Sequence, residues 1–366
     1  MLSDLEKREA LTLLRELISI SSPSGREQKL ADYIYKWLSK KGFQYVTIDK
    51  AGNVRARTQA DKPVIAYCGH MDTIPGTLPV FMRDGRIYGR GASDAKGPLA
   101  AMLYSAQLIS QKNFPLEVIA VVQEERSSQG IKYLIKQNLN QKFMVFGEPS
   151  GASKIVVGYR GRIEVTVDFY ASGFHASMPW VGKSALQYAL DFARNIEDYA
   201  KGLEVKDRSN SVSLCITSLN SGIARNVAPP HARLVLDIRV PERFEADEIV
   251  KNIEKFCRST GVPKFEVNIG EKVDAASSPS GFLLRAMRRS IFKSLGIPAK
   301  VVRKTGTGDM NYAIKNGIEA ITYGPGDGLS EHSQEESIDI EDYFRAIEVL
   351  TMLPEELSHV LSEKEI

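Results

Sequence analysis

Cysteine is scarce in this chain of 366 residues: Cys68, Cys215 and Cys257 are odd in number and far apart. They give no disulfide framework and no Cys-x-x-Cys pair for thiolate zinc ligation, and their spacing suits a reducing cytoplasm. Long hydrophobic runs are absent too. No apolar stretch reaches the ~18 residues of a membrane helix, and the charged N-terminus Met1-Leu2-Ser3-Asp4-Leu5-Glu6-Lys7-Arg8-Glu9 has no signal-peptide core. No membrane partner is expected, and the protein is expected to be cytoplasmic. Neither charge sign dominates: the net charge of +3 gives no argument for a nucleic-acid partner. What is present is 43% hydrophobic and 25% charged residues, the balance of a folded, water-soluble protein. The length suits two domains better than one.

The first half alternates helices and strands. Ser24-Gly25-Arg26-Glu27 reads as a capping box. Leu30, Ile34, Trp37 and Leu38 follow at helical spacing, and Gly42 closes that helix. Residues 45–48, 54–57 and 64–68 read as strands, and Asp84-Gly85 as a hairpin turn. Residues 98–111 read as a helix with Pro98 near its start. Residues 116–122 and 143–146 read as strands of the buried, parallel kind. After about Gly158 the pattern becomes strand (162–170), helix (185–200), strands (211–217 and 232–240), helix (246–257) and strand (264–268). That is the β-α-β-β-α-β order of a ferredoxin-like module. Residues 339–362 read as a helix with a break or kink at Pro354. The expected architecture is α/β: a mixed, mostly parallel sheet flanked by helices, with an α+β module inserted. The expected boundaries are 1–158 and 271–366 for the α/β domain and 159–270 for the insert.

Five histidines are available, and two of them, His70 and His332, lie beside acidic residues near Gly-rich loops. His70-Met71-Asp72 ends the apolar run 64–68. A ligating imidazole needs a carboxylate partner to fix its tautomer, and a residue two positions along a strand points the same way. Asp94 lies in Gly89-Arg90-Gly91-Ala92-Ser93-Asp94-Ala95-Lys96-Gly97, between the hairpin and a helix. Glu124-Glu125 and Glu148 each follow a predicted strand. In open α/β sheets, ligands collect beyond the carboxyl ends of strands. Two imidazoles and three carboxylates, one of them shared, suit a pair of divalent ions ~3.5–4 Å apart that activates water. Mixed nitrogen and oxygen donors fit Zn²⁺, and also Co²⁺ or Mn²⁺. Gly89-Arg90-Gly91 is not a nucleotide fingerprint, since it opens no helix directly after a strand. His231 and His359 read as structural or surface residues.

Taken in order, His70-Met71-Asp72-Thr73-Ile74-Pro75-Gly76, the Asp94 loop, Glu124-Glu125, Glu148-Pro149-Ser150 and the late His332 resemble the M20 metallopeptidase family. The resemblance covers essentially the whole chain and implies a zinc-exopeptidase-like domain whose insert is a lid and dimerisation domain, hence a homodimer. It implies that Asp94 bridges two metals, that His70 and Glu148 hold one, and that Glu125 and His332 hold the other. It makes Asp72 the residue that orients His70, and Glu124 the general base. In the lid it implies that His175, in Gly173-Phe174-His175-Ala176-Ser177, stabilises an oxyanion, and that Asn226 and Arg239 contact the carboxylate side of the substrate.

Within the family, Asp94-Ala95-Lys96-Gly97-Pro98-Leu99, Glu148-Pro149-Ser150, Lys304-Thr305-Gly306-Thr307-Gly308-Asp309-Met310-Asn311 and Tyr323-Gly324-Pro325-Gly326-Asp327 are similar to a narrower group. Those hydrolases release lysine or ornithine from an acidic amino-group carrier protein in lysine and arginine biosynthesis, cutting the amide to the carrier's terminal glutamate side chain. The alternative substrate is a small N-acyl amino acid or a dipeptide, as for acetylornithine deacetylase or succinyl-diaminopimelate desuccinylase. A reading of another class, a non-catalytic metal-stabilised binding module, is opposed by the presence of Glu124. Residues 275–308 contain no acidic residue but include Arg285, Arg288, Arg289, Lys293, Lys300, Arg303 and Lys304. Such a surface would attract an acidic carrier.

Overall fold

A computed structural model describes residues 1–59, 63–112, 114–137, 139 and 141–363. The chain divides into two compact units. One comprises Met1–Val157, Ser278–Val302 and Gly308–Ile366, the other Gly158–Ser277 and Arg303–Thr307.

The first unit is built on a mixed sheet. Its strands run in the order Gln44–Ile48, Val54–Arg57, Glu117–Val121, Ile65–His70, Phe143–Gly147, Glu319–Thr322 and Lys154–Tyr159. Ile65–His70 pairs in parallel with Glu117–Val121 on one side and Phe143–Gly147 on the other, and Glu319–Thr322 continues the parallel set. Every residue of Ile65–His70, Glu117–Val121 and Phe143–Gly147 is buried, which explains why these segments read as apolar runs and not as alternating ones. Glu117 is the exception in kind. Its buried carboxylate is neutralised by Arg55, 2.6 Å away, and accepts a hydrogen bond from Gln141.

Three parallel neighbours leave their carboxyl ends on the same edge of the sheet. His70, Glu124-Glu125 and Glu148 therefore emerge side by side, although 78 positions separate the first from the last (148 − 70). Helix Lys96–Ser110 packs against strand Ile65–His70 and against helices Asp4–Ser19 and Ile340–Ser362. Every residue from Lys96 to Ile109 is buried, as its lack of a polar face requires. Gly97 is needed at its first turn, where a Cβ would stand 2.3 Å from the carbonyl oxygen of Ala92.

One local expectation is corrected, and of the break or kink expected at Pro354 the break is excluded. Ser24 is not a helix cap: helix Gln28–Lys40 starts after Glu27 without a side-chain cap, and the Ser24 hydroxyl donates to Asp72 Oδ2 at 2.6 Å. Helix Ile340–Ser362 runs through Pro354 without ending there. Proline lacks the N–H that would reach the carbonyl of Leu350, four residues back, and the buried Tyr67 hydroxyl donates to that carbonyl instead, at 2.6 Å. Part of the basic run also has a use within this unit. Arg289 meets Glu356 at 3.2 Å and Glu363 at 2.6 Å, and Lys293 also pairs with Glu356, tying helix Phe282–Leu295 to Ile340–Ser362.

In the second unit a four-stranded antiparallel sheet has the order Ser213–Ser221, His231–Val240, Gly161–Tyr170, Lys264–Val273. The chain order is strand, helix, strand, strand, helix, strand. The last strand extends beyond the expected residue 268 to Val273. Ile163, Val165, Val167 and Phe169 share one face with Leu234, Leu236 and Ile238, packed with Phe192, Ile196, Ile249 and Ile253 from helices Ala185–Gly202 and Ala246–Ser259. The opposite face carries Arg162, Asp237, Arg239 and Glu271, joined by ion pairs of 2.7–3.2 Å.

Candidate metal centre

His70, the last residue of strand Ile65–His70, is 2% exposed. Its Nδ1 lies 2.9 Å from the backbone carbonyl of Asp72 and 3.5 Å from the Asp72 carboxylate. With Nδ1–H donated there, the neutral ring that a metal would require carries its lone pair on Nε2. Nε2 points at Asp94 Oδ1 (3.2 Å) and Glu148 Oε1 (3.6 Å). A second group forms on the other oxygen of the same carboxylate: His332 Nε2 is 3.3 Å from Asp94 Oδ2 and 2.9 Å from Glu125 Oε1. Within each group, His70-Asp94-Glu148 and Asp94-Glu125-His332, the ligand atoms all lie within 4.8 Å of one another.

Those spacings fit a cation in each group. Tetrahedral ligands ~2.1 Å from zinc stand roughly 3.4 Å apart, and the separations of 2.9–3.6 Å bracket that value. The donor set, imidazole nitrogens and carboxylate oxygens without thiolate, is that of a hydrolytic zinc-type site. His332 reaches its place from a left-handed backbone conformation (φ +59°), a strained geometry for a non-glycine residue that persists where surrounding contacts enforce it.

The charges reinforce one another. Burial opposes the His70 cation, yet its hydrogen bonds to Asp72 and Asp94 hold its pKa well above the ordinary histidine value. Hydrogen bonds to Asp94 and Glu125 push His332 up to about 10. Burial would raise Asp94, but the two imidazoles hold its carboxylate below the usual range. Glu124 goes the other way: burial first, then the negative charge of Glu148, raises it well above an ordinary glutamate. A carboxylate that keeps its proton more readily than its neighbours is suited to taking and returning one.

Asp72 does more than the sequence suggested. Its carboxylate accepts the backbone N–H of Glu124 (3.0 Å, Oδ1) and of Glu125 (3.1 Å, Oδ2), as well as the Ser24 hydroxyl. It thus fixes the turn that carries both glutamates. Asp309 lies in the segment 304–311, where the sequence pattern gives it no role. It is 4% exposed, the Ser128 hydroxyl only partly offsets the burial of its carboxylate, and its charge is felt by Glu124. Only burial next to other carboxylates marks it out, and that is invisible in sequence.

The remaining candidates lie in the second unit. His175, on the short strand Phe174–His175, is exposed, and its Nδ1 accepts the backbone N–H of Ser177 at 3.2 Å, with the Ser177 hydroxyl at 2.7 Å. Both of these contacts are made by Nδ1, on the ring edge away from Nε2. The strand pairs with Val227–Ala228, and the Ala176 N–H donates to the Asn226 carbonyl at 2.9 Å, so His175 and Asn226 are neighbours. Arg239 is held bidentately by Asp237 (2.7 and 3.3 Å).

Comparison with known proteins places this arrangement in a class. Residues 66–356 match peptidase family M20/M25/M40, and the chain belongs to that family. It is therefore a metal-dependent hydrolase acting on amide bonds. One curated relative, a LysW-lysine/LysW-ornithine hydrolase from Sulfurisphaera tokodaii, is 31% identical over 97% of each chain. Among solved structures, a tripeptidase from Staphylococcus aureus has a TM-score of 0.82 at 21% identity, covering 96% of this chain and 99% of its own. A Bacillus subtilis protein described as a dinuclear metal-binding peptidase of the M20 family has a TM-score of 0.76 at 15% identity, with both chains fully covered. Among the described residues, no helix is long and apolar enough to cross a membrane.

Proposed function

We propose that this protein releases lysine or ornithine from the terminal glutamate side chain of an acidic amino-group carrier protein by hydrolysing the amide between them. The observation that carries the hydrolytic part is the shared carboxylate: Asp94 turns one oxygen to His70 and the other to His332, and Glu124 lies close enough to feel the charges of Glu148, His70 and Glu125. His70, Asp94 and Glu148 would hold one ion and Asp94, Glu125 and His332 the other, Zn²⁺ suiting the donors and Co²⁺ or Mn²⁺ also fitting. Two such cations supply Lewis-acid polarisation of the amide carbonyl and acidify water. Glu124 takes the proton of the attacking water and delivers it to the leaving nitrogen, a task open to it because its carboxylate belongs to neither ligand group. Asp72 holds the Glu124 and Glu125 amides in register while this happens. His175 donates from Nε2 to the developing oxyanion. Asn226 and Arg239 meet the carboxylate end of the substrate, Arg239 through the fork that Asp237 orients.

The substrate assignment draws on the 31% relative and on the basic stretch 285–304, in which Arg285 and Arg288 are exposed. A homodimer through the second unit and a cytoplasmic site complete the reading. Turnover of carrier-bound lysine and ornithine, measured beside N-acetyl and N-succinyl amino acids and tripeptides, tests it. A kcat/KM at least ~10-fold higher on the carrier conjugates, about 1.4 kcal/mol of transition-state discrimination, is expected. A preference for the small amides overturns the carrier assignment and leaves the chemistry standing.

A further inference from the structure

Glu336 lies four residues beyond His332 in a stretch that also holds Glu331 and Glu335, and nothing in the sequence distinguishes it. Its environment does. Glu336 is 1% exposed and Arg90 8%. A carboxylate this buried is stable only when paired and hydrogen-bonded. Arg90 Nη1 donates to its Oε2 at 2.8 Å. Its Oε1 accepts two consecutive backbone N–H groups, those of Ser93 (3.2 Å) and Asp94 (3.1 Å). Its own carbonyl takes the Gly89 N–H at 3.1 Å. The loop 89–94 is thus gripped at both ends by one residue.

The pair is an uneconomical way to fill space. Arg90 Nε is buried without an acceptor among the described residues, and buried donors left unmade are costly enough to call for an explanation. The arrangement also repeats the grip that Asp72 has on Glu124 and Glu125, on the loop that carries the shared ligand.

We infer that Glu336, clamped by Arg90, is the positioning residue for Asp94. It fixes the Asp94 backbone so that the two carboxylate oxygens face His70 and His332 simultaneously. This rests on the proposed metal pair. The interaction goes through the backbone of Asp94, so Glu336 itself touches neither ion nor substrate.

The test is calorimetric titration of chelator-stripped protein with Zn²⁺ and Co²⁺, with melting of the stripped protein measured in parallel. Wild type should bind two ions; binding of fewer than two sinks the metal pair itself and is distinguishable from failure of the present inference. Glu336→Ala should weaken binding of at least one ion by ~10–100-fold, as for other residues that orient a ligand. Arg90→Met keeps the accepting carboxylate while removing its counter-charge, and should weaken binding by a smaller factor. It keeps the test decisive if Glu336→Ala does not fold. Glu335→Ala, at an exposed neighbouring position, should bind as wild type. Wild-type affinity for both ions in a folded Glu336→Ala protein, or in Arg90→Met should the first not fold, overturns the inference. So does a loss of metal-free melting temperature with no change in either affinity, which is what a purely structural role would give.

Discussion

The two units hold their candidate residues in opposite ways. In the first, His70, Asp72 and Glu336 are at most 2% exposed and each is tied by hydrogen bonds to backbone groups of the ligand-bearing segments, while the exposed His332 is held by Asp94 and Glu125. In the second, His175 and Asn226 are exposed, and Arg239 is held by a half-buried aspartate on an open sheet face. An ion tolerates little error in ligand placement, so its ligands must be set by burial or, as for His332, by partners and backbone. Groups that meet a substrate can stay solvated and adapt. The contrast teaches that candidate metal ligands can be recognised from their surroundings, whereas candidate substrate contacts show little until a substrate is present.

The sharpest way to break this contrast is Glu124→Ala. Loss of the proton shuttle should lower kcat by ~10²–10⁴-fold with two ions still bound and the melting temperature kept. Loss of metal along with activity would erase the distinction drawn between Glu124 and Glu125. His175→Ala examines the other unit: kcat should fall by ~10²-fold, as when an oxyanion donor is removed, with metal content untouched. A change confined to KM would move His175 from oxyanion stabilisation to substrate binding.

Asp309 sharpens the picture of the buried side. Burial pushes its carboxyl up to about 7, against ~3.9 in an unfolded chain. The folded, metal-free protein therefore holds a proton that the unfolded chain has lost, and its stability falls as pH rises between those two values. Asp309→Asn mimics the protonated form. It should flatten that slope and leave the metal-free variant more stable than the parent above neutrality, by on the order of 2–4 kcal/mol. Urea melts in chelator from about pH 4 to 8 measure it, and parallel slopes would show that Asp309 is ionised in the fold. The smallest effect is expected at the surface. Arg288→Glu should slow turnover of an acidic carrier by a few-fold, more at low salt than at high. Arg289 is unsuitable for the same experiment, because its charge is committed to Glu356 and Glu363.

What the sequence made legible follows from locality. Apolar runs ending in His70, Glu124-Glu125 and Glu148 announced parallel strands and the edge where their carboxyl ends meet, because both facts depend on neighbours in sequence and on the rules of parallel sheets. The alternation of Ile163, Val165, Val167 and Phe169 showed the buried face of the second sheet for the same reason. Ser-x-x-Glu makes a cap only if no stronger acceptor is near, and for Ser24 the Asp72 carboxylate, 48 positions away, is that acceptor. The double grip of Asp72 on Glu124 and Glu125, the Arg90–Glu336 clamp and the buried Asp309 all depend on contacts between distant segments. Asp72, Arg90 and Asp309 lie within recognisable motifs, but no motif or periodicity says which distant segment each one meets.

The proline in the last helix has a consequence for how this chain can change over time. Pro354 withholds a donor from the Leu350 carbonyl, and Tyr67, in the strand that ends at His70, supplies one. Removing that hydroxyl alone strands a buried carbonyl, at a cost of about 1–3 kcal/mol. Replacing the proline restores the helix's own donor and makes the hydroxyl redundant. Positions 67 and 354 are therefore permissive for one another in one order only. A lineage can lose the proline first and the tyrosine afterwards, while the reverse route passes through a weakened protein.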